Sequence, residues 1–194
     1  MNNFRLIMEQ PTKRVLEEYS SISIEFKVES EYKLKWSNNG LGGVKFVEES
    51  VSPHWKDYDS KYDNPSLLID KFNLSNWCIV SAFDRERRIG GAIIVYDTDG
   101  INMLEGKDDL SVIWDIRIDK EYRGKGIGSK IIDRCVEWAK SKECTRVKIE
   151  TQNNNVGACE FYVSQGAKLS NFNRYYYKEH PDEVQFIWSI NLEY

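Results

Sequence analysis

The stretch Arg123-Gly124-Lys125-Gly126-Ile127-Gly128 decides how this chain is read. Three glycines in five positions let the backbone turn sharply and approach an anion closely. The stretch follows an apolar strand-like run, Leu110 to Ile118, and opens a helix near Gly128. On that helix Ile127, Ile131, Cys135, Trp138 and Ala139 recur at helical spacing and form one apolar face. A helix N-terminus directs free N–H groups and the positive end of its dipole at the preceding loop. Arg123 and Lys125 add formal charge, so the loop reads as a phosphate or pyrophosphate cradle. A P-loop would need Ser or Thr after Lys125, where Gly126 stands. A Rossmann fingerprint would need a third glycine at Ser129 and strand-helix alternation from the start of the chain. The plain alternative is a glycine turn that only caps a helix.

Outward from the loop, Trp77 to Phe83 and Ile89 to Tyr96 read as a hairpin across the charged turn Asp84 to Arg88. Arg146 to Thr151 reads as a strand, and a second helix runs from Val156 to about Gln165, stopping at Gly166. Ala167 to Tyr177 and Val184 to Leu192 form a closing strand pair. Upstream, Phe4 to Met8 reads as a strand, Lys13 to Tyr19 as a short helix after Pro11, and Asn64-Pro65 starts a helix through Lys71. Ile22 to Val28 alternates like a strand, and Gly40, Gly42 and Gly43 break the following region into turns. No repeat or linker divides the 194 residues, which predicts one domain with a core over about 76–192 and a less readable part over about 1–75. The expected class is α/β in the mixed α+β sense: a mostly antiparallel mixed sheet with helices on both faces.

The loop matches the pattern Gln/Arg-x-x-Gly-x-Gly/Ala, with Arg123, Gly126 and Gly128 at the defining places. A second motif, Asn155-Val156-Gly157-Ala158-Cys159-Glu160-Phe161-Tyr162 through Gly166-Ala167, follows at the right distance with a strand between. Together they resemble the GNAT acetyltransferase superfamily over residues 76–192. Glu150 to Asn155, Asn173 to Tyr177, Pro181 to Val184 and Lys56 to Asp59 are similar to the streptothricin acetyltransferases within it.

The resemblance implies a sheet splayed at the cofactor strands and acetyl-coenzyme A as cosubstrate. It assigns the coenzyme's pyrophosphate to Arg123, Gly124, Lys125, Gly126, Ile127, Gly128 and Ser129, and a further cofactor contact to Asn155. It places carbonyl polarisation on the backbone of Ile116, Arg117 and Ile118, and gives Tyr162 the proton for the leaving thiolate. Asn155 also suits a plain N-cap, and Tyr162 a core tyrosine beside Cys159. An alkyl ammonium has a pKa of about 10.4, so a base or a water relay must take its proton. Asp115 and Glu150 are the candidates, with Asp115 slightly ahead; an ion pair with Arg117 is its structural alternative. Some relatives carry a glutamate where Val112 stands, so no base transfers simply.

For the acceptor, Asp57, Tyr58 and Asp59, with Asp63, Tyr62 and Trp55 nearby, interleave carboxylates and aromatics in a way that suits a cationic guest. A solvated loop is the equal alternative. The expected reaction is acetylation of a primary amine of a small cationic molecule, with streptothricin, modified on its β-lysine part, as the favoured acceptor. A polyamine, an aminoglycoside or a protein amine is the alternative acceptor. A non-catalytic acyl-coenzyme A sensor is the alternative of another class, and a nucleotide-binding regulator the remotest.

A net charge of −4 argues against nucleic acid as a partner, and no apolar run reaches a membrane span. Met1 to Arg5 lacks a signal-peptide layout, which makes the cytoplasm the default location. Cys78, Cys135, Cys144 and Cys159 lack metal-site spacing and read as buried thiols, so no metal is expected; His54 and His180 read as exposed. Edge strands near the C-terminus could pair two chains as a homodimer.

Overall fold

The computed structural model describes residues 4–61 and 63–193; the first three residues and Tyr62, both used in the reading above, lie outside them. The strands are β1 (Arg5–Glu9), β2 (Phe26–Trp36), β3 (Val44–Lys56), β4 (Trp77–Asp84), β5 (Arg87–Tyr96), β6 (Leu110–Ile118), β7 (Arg146–Gln152), β8 (Lys168–Asn173) and β9 (Gln185–Asn191). The helices are α1 (Lys13–Ser20), α2 (Leu68–Lys71), α3 (Ile127–Ser141) and α4 (Val156–Ser164). Seven strands form one sheet in the order β1-β4-β5-β6-β7-β9-β8, while β2 and β3 pair separately. The pairs β1–β4, β4–β5 and β5–β6 are antiparallel and β6 runs parallel to β7, which makes the sheet mixed as expected. The strand expected from Ile22 begins only at Phe26, and it belongs to a long hairpin that the sequence did not display beyond its glycine turn.

The residues group into two compact units that do not follow the division at 75/76. One holds the chain up to Ile24, Tyr58–Ile149 and the end from Ser189. In it, Thr12 caps α1 by accepting from the Val15 N–H at 3.4 Å, directly after Pro11. The cap turns Val15, Leu16 and Tyr19 inward, onto Trp77, Ile79, Ile93 and Val95 of β4 and β5. Strand alternation sends Cys78, Val80, Ala92 and Ile94 to the opposite face, where α3 packs with Ile131, Cys135 and Ala139. Each fully buried Ile or Leu contributes about 1.5–3 kcal/mol. Gly91 is required by a close approach: a Cβ there would lie 2.6 Å from the Val80 carbonyl and 3.0 Å from the Tyr19 ring.

The other unit holds Glu25–Asp57 and Glu150–Trp188. Phe46 packs edge-on against Phe172 and Phe186, with ring centroids 5.1 and 4.9 Å away. Asn153 is buried and ties three segments: its carbonyl accepts from Tyr32 N–H at 2.9 Å, and its side chain accepts from Val184 N–H at 2.7 Å and donates to the Tyr32 carbonyl at 3.1 Å. Lys56 forms an ion pair with the buried Glu183, joining two of the short stretches picked out by sequence.

All four cysteines are buried free thiols, as the sequence predicts. Burial pushes the thiols of Cys78 and Cys159 up to about 11, and raises those of Cys135 and Cys144 for the same reason. An unfolded thiol ionises at about 8.5. The unfolded chain therefore loses these protons first, so stability present at neutral pH declines from about pH 8.5 to 11. Thermal melts across that range should show a steeper alkaline fall than those of a Cys78→Ala/Cys159→Ala variant; parallel curves would contradict it.

Candidate active site

The loop after β6 has the conformation that its glycines permit. Gly124 and Gly126 sit at φ +73° and +77°, and a Cβ on either would meet no atom within 4 Å. The backbone is thus left-handed where a side chain would be strained, and open where an anion would approach. α3 starts at Ile127 on Gly126, with no side-chain cap and no acidic residue in its first turn. The N–H groups of Ile127, Gly128 and Ser129 have no earlier helical carbonyl to pair with and face the loop. These residues fit the pyrophosphate of acetyl-coenzyme A. Arg123 braces the root of the loop, donating through Nε to the Ile118 carbonyl at 3.0 Å and through Nη2 to that of Ser23 at 3.5 Å. Lys125 places its ammonium 4.9 Å over the Tyr122 ring, whose hydroxyl donates to Asp84 at 2.8 Å.

β6 pairs with β7 only from Leu110–Arg146 to Ile113–Ile149 and runs on to Ile118 beyond the end of that ladder. Asp119 N–H donates to the Ile89 carbonyl of β5 at 2.9 Å, so alternation turns Arg117 to β5 as well. Ile116 and Ile118 therefore point their N–H groups away from β5. The Ile118 carbonyl, which receives Arg123, follows the same alternation. Of the three residues proposed for carbonyl polarisation, Arg117 has its amide on the side of β5.

The Arg117 side chain, 1% exposed, has another task. Nε and Nη2 donate to Asp115 at 2.9 and 2.6 Å. Nη1 and Nη2 donate to Asp59 at 2.8 and 3.1 Å, and Nη1 also donates to the Ile22 carbonyl at 2.9 Å. All five N–H groups are engaged. Tyr19 donates its hydroxyl to Asp115 at 2.5 Å, reaching across the bare backbone of Gly91. Burial and then the Asp115 charge hold the Tyr19 phenol well above its ordinary value, so it stays a donor. Burial opposes the charge on Arg117, but Asp115 and Asp59 outweigh it and raise the guanidinium further.

Two expectations change here. Asp115 accepts three hydrogen bonds, two of them from a fixed cation, so both its oxygens are engaged by protein donors. The ion-pair alternative describes it. Asp59 turns to the same arginine and forms an ion pair with it; Asp57 is exposed and Tyr58 half-buried. His54 and His180 are exposed, as expected. Val112 is fully buried in the core, so the position where some relatives carry glutamate is apolar here.

In the other unit, Asn155 caps α4, accepting from Ala158 N–H at 3.2 Å, and so fills the N-cap role. Cys159 and Tyr162 are the buried residues of this helix, at 1% and 3% exposure. Glu150, near the end of β7, accepts from the Tyr177 hydroxyl at 2.6 Å and from Gln185 Nε2 at 2.7 Å, while Gln152 donates to the same hydroxyl at 2.9 Å. No local sequence pattern marks Gln185 or Tyr19 as a site residue. Tyr19 lies 96 residues from Asp115, and nothing local to either announces the bond.

Among the described residues no helix is long and apolar enough to cross a membrane, and no group of three or more potential ligands could hold a metal ion.

Comparison with known proteins places these features. The family model described as "Acetyltransferase (GNAT) family" matches residues 44–167, which include the loop, β6 and α4. A streptothricin acetyltransferase of Escherichia coli is 29% identical over 150 residues, covering 75% of each chain. Streptothricin acetyltransferase A of Bacillus subtilis is 31% identical over 90 residues, 45% of this chain and 52% of the relative. A crystal structure of nourseothricin acetyltransferase superposes with a TM-score of 0.75 at 17% identity, covering 98% of this chain and 99% of that one. A Bacillus anthracis structure in complex with acetyl coenzyme A, provisionally assigned as a streptothricin acetyltransferase, gives 0.73 at 26% identity over 96% of this chain and 99% of that one. An open-edged β6, an uncapped helix N-terminus on a left-handed glycine turn, and a match over most of the chain lead to one conclusion: this protein belongs to the GNAT family and is an N-acetyltransferase that uses acetyl-coenzyme A.

Proposed function

We propose that this enzyme acetylates a primary amine of streptothricin, in the cytoplasm, with loss of a positive charge from the antibiotic and resistance as the consequence. The observation that carries the reading is the similarity to the E. coli streptothricin acetyltransferase over three quarters of both chains. We read the chain as one functional domain. Acetyl-coenzyme A supplies the activated acetyl group as a thioester. The N–H groups of Ile127, Gly128 and Ser129, with Lys125, hold its pyrophosphate. The N–H groups of Ile116 and Ile118 are the donors for the thioester oxygen as negative charge develops on it, an arrangement whose loss costs about 10²–10³ in rate. Tyr162 hydrogen-bonds the departing sulfur and returns a proton to it. With Asp115 held by Arg117, the amine gives up its proton to Glu150 or, through water, to solvent.

The test is thiol release from acetyl-coenzyme A with streptothricin, spermidine, an aminoglycoside and a lysine peptide in parallel. Fast release with streptothricin, at least about 10²-fold above the others in kcat/KM, is the expected result. Fast release with another amine would keep the chemistry and replace the acceptor. Coenzyme A binding with no release from any amine would favour the sensor reading.

A further inference from the structure

Most shielded carboxylates in this protein face a cation. Asp115 and Asp59 have Arg117, Glu9 has Arg88 and Glu183 has Lys56. Glu150 is different. It is half-buried, and both its oxygens are held by neutral donors, Tyr177 on one and Gln185 on the other. Among the described residues no lysine, arginine or histidine lies within ion-pair distance of it. A carboxylate removed from water without a positive partner is costly, and a bound cation would relieve that cost.

The surroundings favour one kind of cation. Two neutral bonds fix the carboxylate but leave lone pairs on both oxygens. Gln185 is 7% exposed and Gln152 holds the Tyr177 hydroxyl, so the frame is set before any guest arrives. The Tyr176 ring stands perpendicular to that of Tyr177 at 5.1 Å and is 46% exposed, presenting an aromatic surface beside the charge. A rigid carboxylate flanked by a tyrosine face suits an alkylammonium, by a charge-assisted hydrogen bond and by cation–π attraction. Every group named lies within one compact unit.

We propose that Glu150, framed by Tyr176, Tyr177 and Gln185, is the site that binds a primary alkylammonium of the acceptor. This deepens the acetyltransferase reading and rests on it for the identity of the guest, but ammonium binding can be measured without any transfer. The probe is 1,5-diaminopentane, titrated calorimetrically at neutral pH into the full chain without coenzyme A, with 1,5-pentanediol as the uncharged counterpart. Wild type should bind the diamine and not the diol. Glu150→Gln, which preserves shape, should weaken the diamine about ten- to a hundredfold, with thermal melting unchanged. Tyr177→Phe, which frees one carboxylate oxygen from its brace, should weaken it less. Equal diamine affinity in wild type and Glu150→Gln, or a diol that binds as well as the diamine, overturns the proposal. If thiol release fails with every amine while this binding pattern holds, the transfer reading falls and the ammonium site stands.

Discussion

Tyr162→Phe should lower turnover by about 10²- to 10⁴-fold, the range that a positioned proton donor supplies. The substitution removes one oxygen from a side chain that is 3% exposed on α4 and keeps the ring that packs there. Cofactor affinity should stay within about threefold, because the pyrophosphate is assigned to a loop in which Tyr162 takes no part. A thiol ionises at about 8.5 and a phenol at about 10. The phenol therefore helps chiefly by hydrogen bonding the sulfur as it departs, and a poorer leaving group should need it more. Single-turnover rates with acetyl-coenzyme A, beside equilibrium binding of coenzyme A, separate the two quantities. Turnover within twofold of wild type would remove Tyr162 from the chemistry and leave it a core residue.

The sequence was most legible where chemistry and local structure coincide. The Arg123–Gly128 loop, α3 and α4 each need particular residues at fixed spacing, so glycine at positive φ and asparagine at the N-cap can be read directly. The β4–β5 hairpin was legible because its strands are buried on both faces and stand out as apolar runs. The β2–β3 hairpin was not, because much of it is exposed on both faces and the period-two signal is diluted by Lys and Glu. Site residues divided along the same line. Strand alternation put Asp115 and Arg117 on one side and so foresaw their ion pair. Nothing in the sequence could foresee that Tyr19 and Asp59, from distant segments, would close around the same guanidinium. The acidic-aromatic stretch at 57–59 suggested a guest site, yet the inward turn of Asp59 is a tertiary choice that a sequence pattern does not record. Glu150 was identified as a carboxylate at a strand end, but the neutrality of its partners became visible only with Gln185, 35 residues away.

Arg117→Met should destabilise the fold by about 3–5 kcal/mol, the cost of leaving buried charges without their partner. Its guanidinium answers two carboxylates with side chains only 10% and 22% exposed. For a chain of this length that loss corresponds to a fall in Tm of about 6–20 °C. It should show in urea as a lower midpoint with an unchanged slope. Arg117→Lys keeps the charge but not the fork that spans Asp115, Asp59 and the Ile22 carbonyl, so it should recover only part. Arg117→Met with Asp115→Asn should be more stable than Arg117→Met alone, since one of the stranded charges is then removed. A loss below about 1 kcal/mol, the range of an exposed ion pair, would mean that water reaches this cluster. Asp115 would then be open to solvent and to proton exchange with it.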